Sequence, residues 1–162
     1  MKKALVILVV FLFQEKVMAQ NGYTAVSVSG GLSVTNSKYV TISLEKNDNK
    51  KLHTGLMIEN LFYSNYKSEK IDLASTNTYY SIGLFLAAPV KNSRNYSSQF
   101  YFGGATGTDF HRLIYYPFAG LSHSFFVSPK SQLFITEKVQ YIFKLSEAQW
   151  QPCAFIGFRY LL

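Results

Sequence analysis

After its first nineteen residues the chain alternates between apolar and small or polar residues, and this period of two restricts the fold more than any other feature. Successive side chains of a β-strand point to opposite faces, so the alternation predicts strands that each carry one apolar face. No stretch of this region keeps a helical period for long. We therefore predict an all-β protein whose eight strands lie at residues 24–34, 39–46, 51–64, 76–89, 98–110, 117–127, 132–145 and 151–162.

The residues on the second face of each strand distinguish between two possible all-β folds, a soluble sandwich and a membrane barrel. A soluble sandwich buries its apolar face and carries charged and polar residues on the other. Here the second face is rich in glycine, alanine and serine, as in Gly103, Ala105 and Gly107. Small residues suit the inside of a narrow barrel, and eight strands leave room for side chains but not for an aqueous channel. We predict a small antiparallel up-and-down β-barrel of outer-membrane type without a pore, with the sandwich as the alternative.

Composition agrees with this prediction and excludes several functions. The 12 tyrosines and 14 phenylalanines fit aromatic girdles at two membrane interfaces, although a sandwich core could also use them. The net charge of +7 is spread over predicted turns, whereas nucleic-acid binding requires a concentrated basic stripe. Cys153 is the single cysteine, which excludes an intrachain disulfide and a cysteine-rich metal site. We expect no cofactor, no metal and no direct contact with nucleic acid.

The N-terminal segment has the three parts of a secretory signal. Lys2 and Lys3 precede an apolar run over residues 4–13, and small residues near Ala19 match what a signal peptidase reads. The run is too short to cross a bilayer as a helix, which needs about 20 residues. We therefore expect residues 1–19 to be a signal peptide and residues 20–162 to form a single barrel domain.

The last predicted strand is apolar on one face to its final residue. The pattern of Gly157, Phe158, Tyr160 and a terminal Leu162 resembles the C-terminal signal that the barrel assembly machinery of Gram-negative outer membranes recognises. Leu162 departs from that signal, in which an aromatic residue usually stands last. The resemblance implies the assembly machinery and outer-membrane lipid as partners, and the outer membrane as the location.

Charged residues on the inward face need partners, because an enclosed arginine cannot lose its proton. Arg159 falls on the inward face of the last strand, and we predict that it pairs with one or more of Glu45, Glu59 and Asp109. Glu137 instead falls on the apolar face, unless a bulge shifts the register there.

One segment has residues that could perform chemistry. Residues 120–124 (GLSHS) are a little similar to the His and Ser segment of lipid A deacylases of the outer membrane. A histidine must reach the serine that it activates, whereas His123 and Ser124 point to opposite faces of a strand. We expect no catalytic residue, and keep a lipid A-modifying hydrolase and a surface adhesin-type barrel as alternatives.

Several segments together resemble the conjugal transfer protein TraO family, which is encoded in the transfer operons of conjugative transposons. The similar segments are GLSV at 31–34, YYSI at 79–82, GGATG at 103–107 and QPCAFIGFRY at 151–160. The resemblance implies a non-catalytic envelope component of a DNA-transfer secretion apparatus, with other conjugative-transfer envelope proteins as partners. It brings no catalytic residues with it.

The signal segment gives a first testable prediction. Expression in a Gram-negative host should yield a mature protein that begins at Gln20, because the signal peptidase removes the preceding residues. Intact-mass measurement of the exported protein checks this. A mass that includes Met1 would contradict it.

Overall fold

Eight antiparallel strands close into one barrel. The computed structural model describes residues 23–34, 37–47, 52–63, 77–93, 95–108, 113–143 and 150–162. The strands are β1 (Tyr23–Ser33), β2 (Lys38–Asn47), β3 (His53–Tyr63), β4 (Asn77–Asn92), β5 (Tyr96–Thr108), β6 (Leu113–Ser128), β7 (Ser131–Tyr141) and β8 (Trp150–Leu161). Each strand pairs with the next, and β8 pairs with β1. The predicted all-β up-and-down barrel is confirmed.

Two predicted features, the signal segment at residues 1–19 and the acceptor Asp109, lie outside the described residues. Within the described ranges, no helix is long and apolar enough to cross a membrane. The barrel has two ends, which we call the near end, where Tyr23 and Leu161 lie, and the far end, where Tyr63 and Trp150 lie.

Some strand boundaries differ from those predicted, mainly at prolines. β6 begins at Leu113 rather than at Pro117, because the alternation continues through the buried residues Ile114 and Tyr116. β4 continues past Pro89 to Asn92, and the β4–β5 register shifts between Pro89 and Lys91. A bulge tolerates a residue that lacks the N–H for the ladder. β7 ends at Tyr141, earlier than predicted.

The alternation distributes the side chains between two faces as predicted. Large apolar side chains stand exposed on the outside of every strand, among them Val28, Ile42, Ile58, Ile82, Phe102, Leu121, Ile135 and Ile156. Polar and charged side chains are buried on the inside, among them Ser27, Glu45, Glu59, Ser81, Gln99, Ser124, Lys138 and Arg159. The polarity is therefore inverted with respect to a soluble protein, whose large apolar patches are few.

Glu137 lies on the apolar face, where its place in the alternation put it, and no bulge shifts it inward. β7 pairs with β8 without a shift, and its register with β6 shifts only near the strand end, between Phe126 and Ser128. Glu137 therefore stays on the apolar face and is exposed.

Five of the inward glycines lie directly opposite inward aromatic residues. In five cross-strand pairs, a Cβ added to the glycine would meet the ring of its partner at less than van der Waals distance. The pairs are Gly31 with Phe155, Gly55 with Phe85, Gly103 with Phe118, Gly120 with Tyr101, and Gly157 with Phe134. Covering a glycine with a cross-strand ring is a known way to stabilise a barrel. The small residues therefore make room for the rings that fill the interior.

This packing predicts opposite behaviour of two adjacent glycines. Gly31→Val should destabilise the barrel by about 1 to 3 kcal/mol, because the new side chain displaces the ring of Phe155. Gly30→Val is the matched control, since a Cβ there would point outward and meet only the carbonyl oxygen of Tyr39, at 3.9 Å. Urea unfolding in detergent micelles measures both changes. Equal effects at the two positions would contradict the assigned faces.

Candidate functional site

A buried ion pair crosses the barrel interior. Lys138 of β7 places its Nζ 2.7 Å from Oε2 of Glu59 on β3. The same carboxylate accepts hydrogen bonds from the hydroxyl of Thr41, at 3.0 Å, and from that of Tyr116, at 2.9 Å. Glu59 is only 1% exposed, so its charge depends on these three donors. The pair joins strands that are not neighbours and so ties opposite walls together.

Aromatic rings surround the ammonium group of this pair. Nζ of Lys138 lies 4.7 Å from the ring centroid of Phe155, 5.4 Å from that of Phe118 and 5.5 Å from that of Tyr39. At these distances a desolvated cation gains cation–π energy from ring faces. The sequence placed Lys138 on the inward face but did not identify it as a member of the charge network.

A second ion pair lies nearer the near end. Nη2 of Arg159 is 3.2 Å from Oε2 of Glu45, and Nδ1 of His53 is 2.5 Å from the other carboxylate oxygen. The structure therefore brings Arg159 to one of its three predicted partners, Glu45. Glu59 pairs with Lys138 instead. His53 also contacts Glu45, and the prediction from sequence did not include it, although it falls on the inward face.

Neutral side chains accept hydrogen bonds from the other terminal nitrogen of the Arg159 guanidinium. Nη1 of Arg159 donates to Oγ of Ser124, at 3.3 Å, and to Oε1 of Gln132, at 3.4 Å. The guanidinium carbon stands 5.2 Å from the ring centroid of Phe134. Nε of Arg159 is buried without a partner in the described part of the chain.

A small cavity lies between the two ion pairs. Its volume is about 70 Å³, and its wall combines hydroxyl and charged groups with apolar ones: Ser27, Ser29, Ser43, Ser122, Thr136, Lys138, Arg159, Met57, Phe85, Phe134 and Phe155. A cavity of this size has room for a water molecule, for which the hydroxyl and charged groups of the wall are hydrogen-bond partners. Toward the far end, the hydroxyl of Tyr39 donates to Gln151 at 2.5 Å, and Gln140 donates to that hydroxyl at 3.0 Å. Side chains thus fill the interior on both sides of the cavity.

The residues predicted to form the assembly signal divide between the two faces. Phe158, Tyr160 and Leu162 are exposed on the apolar exterior. Gly157 faces inward, where an added Cβ would meet the ring of Phe134. The backbone N–H of Leu162 donates to the carbonyl oxygen of Thr24, at 2.8 Å, so this segment also takes part in closing the barrel.

The two residues considered for hydrolysis lie on opposite sides of the wall. His123 is on the exterior, where its Nδ1 is 2.7 Å from the hydroxyl of Tyr96 and its ring stacks on that tyrosine. Ser124 is buried inside against Arg159. In the part of the chain that the structure describes, no cluster of three His, Cys, Asp or Glu residues could hold a metal ion. Cys153 is buried, with its thiol 3.4 Å from the carbonyl oxygen of Gln151.

Aromatic clusters stand on the exterior at both ends. At the far end Tyr115, Phe143, Tyr141 and Trp150 follow one another with ring centroids 4.7, 4.7 and 4.9 Å apart. At the near end Tyr96 packs against His123 and Phe125. This distribution matches the two aromatic girdles that flank the apolar band of a membrane barrel.

No protein-family model matches the sequence, and no curated protein matches it. Solved structures do match the fold. The N-terminal β-barrel domain of Pseudomonas aeruginosa OprF is 10% identical and covers 88% of this chain and 98% of that domain, with a TM-score of 0.64. A major outer membrane protein of Thermus thermophilus is 10% identical and covers 88% of this chain and 100% of that protein, with a TM-score of 0.65. A de novo designed transmembrane β-barrel is 15% identical and covers 88% of this chain and 98% of the design, with a TM-score of 0.63. At these identities the similarity shows a shared fold, that of outer-membrane β-barrels, and nothing about activity.

The pairing of the buried charges predicts which mutations are coupled. Arg159→Ala should destabilise the barrel by about 3 to 5 kcal/mol, because it leaves Glu45 buried without its main cation. Its effect should be non-additive with Glu45→Gln and additive, within about 0.5 kcal/mol, with Glu59→Gln, since the two ion pairs share no residue.

The matched control is Lys130→Ala at an exposed turn, which should change stability by about 0 to 1 kcal/mol. Denaturant unfolding of the four single and two double mutants in detergent measures all of these effects. A silent Arg159→Ala would mean that Arg159 faces solvent, and the inward and outward assignments of β8 would have to be exchanged.

Proposed function

We propose that this chain is an outer-membrane β-barrel that serves as a structural or docking component of the cell envelope and catalyses no reaction. The observation that carries the proposal is the inverted polarity of the barrel: large apolar side chains are exposed on all eight strands, while Lys138, Arg159 and their carboxylate partners are buried. Water does not favour such an exterior, whereas lipid does. A closed barrel is also one of the two architectures that satisfy every backbone hydrogen bond within hydrocarbon.

The filled interior favours a structural or docking role over a transport role. The ion pairs and the cluster of Tyr39, Gln140 and Gln151 occupy the space that a channel would need. Eight-stranded barrels have interiors just wide enough for such side chains. Partners would therefore meet the exterior or the ends of the barrel rather than pass through it.

We infer further that the barrel acts in a conjugative DNA-transfer apparatus. The support is the sequence resemblance to the TraO family, whose longest segment, residues 151–160, coincides with most of β8. The hydrolase alternative has weaker support, because His123 and Ser124 face opposite sides of the wall. The adhesin-type alternative differs in its partners, which would be surface molecules of another cell rather than transfer proteins.

The membrane location predicts different outcomes for one outward and one inward aspartate. Phe158→Asp should abolish assembly into the outer membrane, since it places a charge on the lipid face and breaks the recognition pattern. Ser29→Asp is the matched control and should be milder, because Ser29 lines the interior cavity that Arg159 also lines, so the new carboxylate has a cation nearby. The folded fraction in isolated outer membranes, read from gel mobility without heating, measures both. Equal tolerance of the two changes would contradict the lipid-facing register.

The role in transfer has its own test. Deleting the gene from a donor strain should lower the conjugation frequency, and wild-type protein should restore it while the Phe158→Asp variant should not. If the deletion leaves the frequency unchanged, the barrel has another role, even if the membrane location holds.

A further inference from the structure

A groove on the barrel exterior runs along β5. Its floor is the outward face of two small residues, Gly104 and Thr106, which lie two positions apart on this strand. Larger residues of the neighbouring strands form its walls, namely Ile82 and Leu84 of β4 and Tyr115 and Pro117 of β6. The groove has a volume of about 540 Å³ and is open on its outer side. It therefore has room for a narrow group from the surroundings of the barrel.

Packing within the described barrel does not account for the glycine in this floor. Of the nine glycines in the described part of the chain, seven face inward, where an added Cβ would come within 3.0 Å of a neighbouring atom. A Cβ on Gly104 would meet only the carbonyl oxygen of Tyr116, at 3.8 Å. Gly30 is the other outward glycine, but it does not line the groove. A glycine inside a strand weakens the strand and often marks a place where a ligand approaches the backbone closely.

The polarity of the groove changes along β5. Toward the near end, the next outward residue is the exposed Phe102, whose ring raises the floor there. Toward the far end, the hydroxyl-bearing Thr106 and Thr108 continue the floor, with Tyr115 opposite the first and Tyr80 opposite the second. Tyrosines suit the membrane interface, where one end of the ring is apolar and the other is wet. The groove thus runs from the apolar middle of the barrel to the aromatic girdle of the far end.

The width of the groove separates two possible occupants. The backbones of β4 and β6 lie about 9 to 10 Å apart, and the side chains of the walls narrow this gap. A hydrocarbon chain is a single file of methylene groups and fits such a gap. A second barrel would present a broad sheet with outward side chains on every strand, and no isolated ridge to insert. Between apolar groups in a bilayer, association depends on close van der Waals packing, so the better fit determines the occupant.

We propose that this groove binds one straight acyl chain of a membrane lipid. The end of the chain lies over Gly104, and the head group lies at the far end, level with the phenols of Tyr80 and Tyr115. The ring of Tyr115 stacks on Phe143 with centroids 4.7 Å apart, so this wall is held in place before the chain binds. The inference rests on the proposed membrane location and adds a lipid-binding site to it.

The test compares two lipids that have the same head group. The purified, delipidated barrel in detergent is titrated with dipalmitoyl phosphatidylcholine, whose chains are straight, and with diphytanoyl phosphatidylcholine, whose chains carry methyl branches. Native mass spectrometry resolves the bound lipids and gives the Kd of the first one. The wild-type barrel should bind the straight-chain lipid about tenfold more tightly, because methyl branches do not fit between the walls. Equal Kd values for the two lipids would overturn the proposal.

Three variants locate the preference for the straight chain. Gly104→Leu should abolish it, because the new side chain fills the floor of the groove. Thr106→Leu fills the next floor position and should act in the same way, so either variant decides if the other does not fold. Gly30→Leu is the matched control and should keep the preference, since a Cβ there also meets only a carbonyl oxygen, at 3.9 Å, and lies outside the groove. Loss in the control, or an unchanged preference in the filled variants, would overturn the proposal.

The same spectra identify the other occupant. Dimers of the wild-type barrel that disappear in Gly104→Leu would show that a second copy fills the groove, and would overturn the proposal.

Failure of the lipid site can be distinguished from failure of the membrane location. Trp150, the single tryptophan, is exposed at the far end, and brominated lipids should quench its fluorescence when the barrel is inserted in liposomes. Absent quenching would contradict the membrane location itself. Quenching together with equal Kd values for the two lipids would contradict the lipid site alone.

Discussion

The pairing of β8 with β1 is the interaction on which the rest of the structure depends. It runs without interruption from Ala25 opposite Leu161 to Ser33 opposite Cys153, and it removes the two free edges that an open sheet would have. In hydrocarbon each unpaired backbone group costs several kcal/mol, so an open sheet with this exterior would be stable neither in lipid nor in water. Closure also creates an enclosed interior, in which charged groups from distant strands meet.

The interior is stable because its buried positive and negative side chains lie next to one another. Lys138 meets Glu59, and Arg159 meets Glu45 with His53 beside it, so each buried carboxylate has a cation or a donor within hydrogen-bonding distance. Removing one partner from such a pair is far more destabilising than the pair is stabilising overall, because the remaining charge stays buried. Rings and glycines fill the remaining space in complementary pairs. Side chains therefore fill the barrel, and only its exterior and its ends are accessible to other molecules.

The sequence predicted well what depends on local alternation. The faces of β1 and β8, the inward position of Arg159 and the small residues inside all follow from a period of two, which the backbone imposes on every strand. Pairings across the barrel were not predictable in the same way. Lys138 and Glu59 stand on β7 and β3, and nothing in the sequence fixes which opposing strands meet across a closed interior.

Register and irregularities account for the other differences. The match of Gly31 with Phe155 depends on how β1 and β8 align, and a shift of one residue would separate them. Pro117 was predicted to begin the strand but lies within β6. The alternation of buried and exposed side chains continues on both sides of it, although the residue has no N–H for the ladder. The register shifts lie at Pro89 and near Phe126 and not at Glu137, which faces outward as the alternation predicted.

The central claim is that the apolar face of this barrel contacts lipid and the polar face does not. Nuclear Overhauser effects between lipid acyl chains and protein methyl groups, measured on the barrel in nanodiscs, test it most directly and require no mutation. The account predicts transfer from acyl chains to the methyl groups of Ile42, Ile58, Ile82, Ile135 and Ile156, and none to those of Ala25, Met57, Ala87 and Ala105. Transfer to the second set, or equal transfer to both, would contradict it.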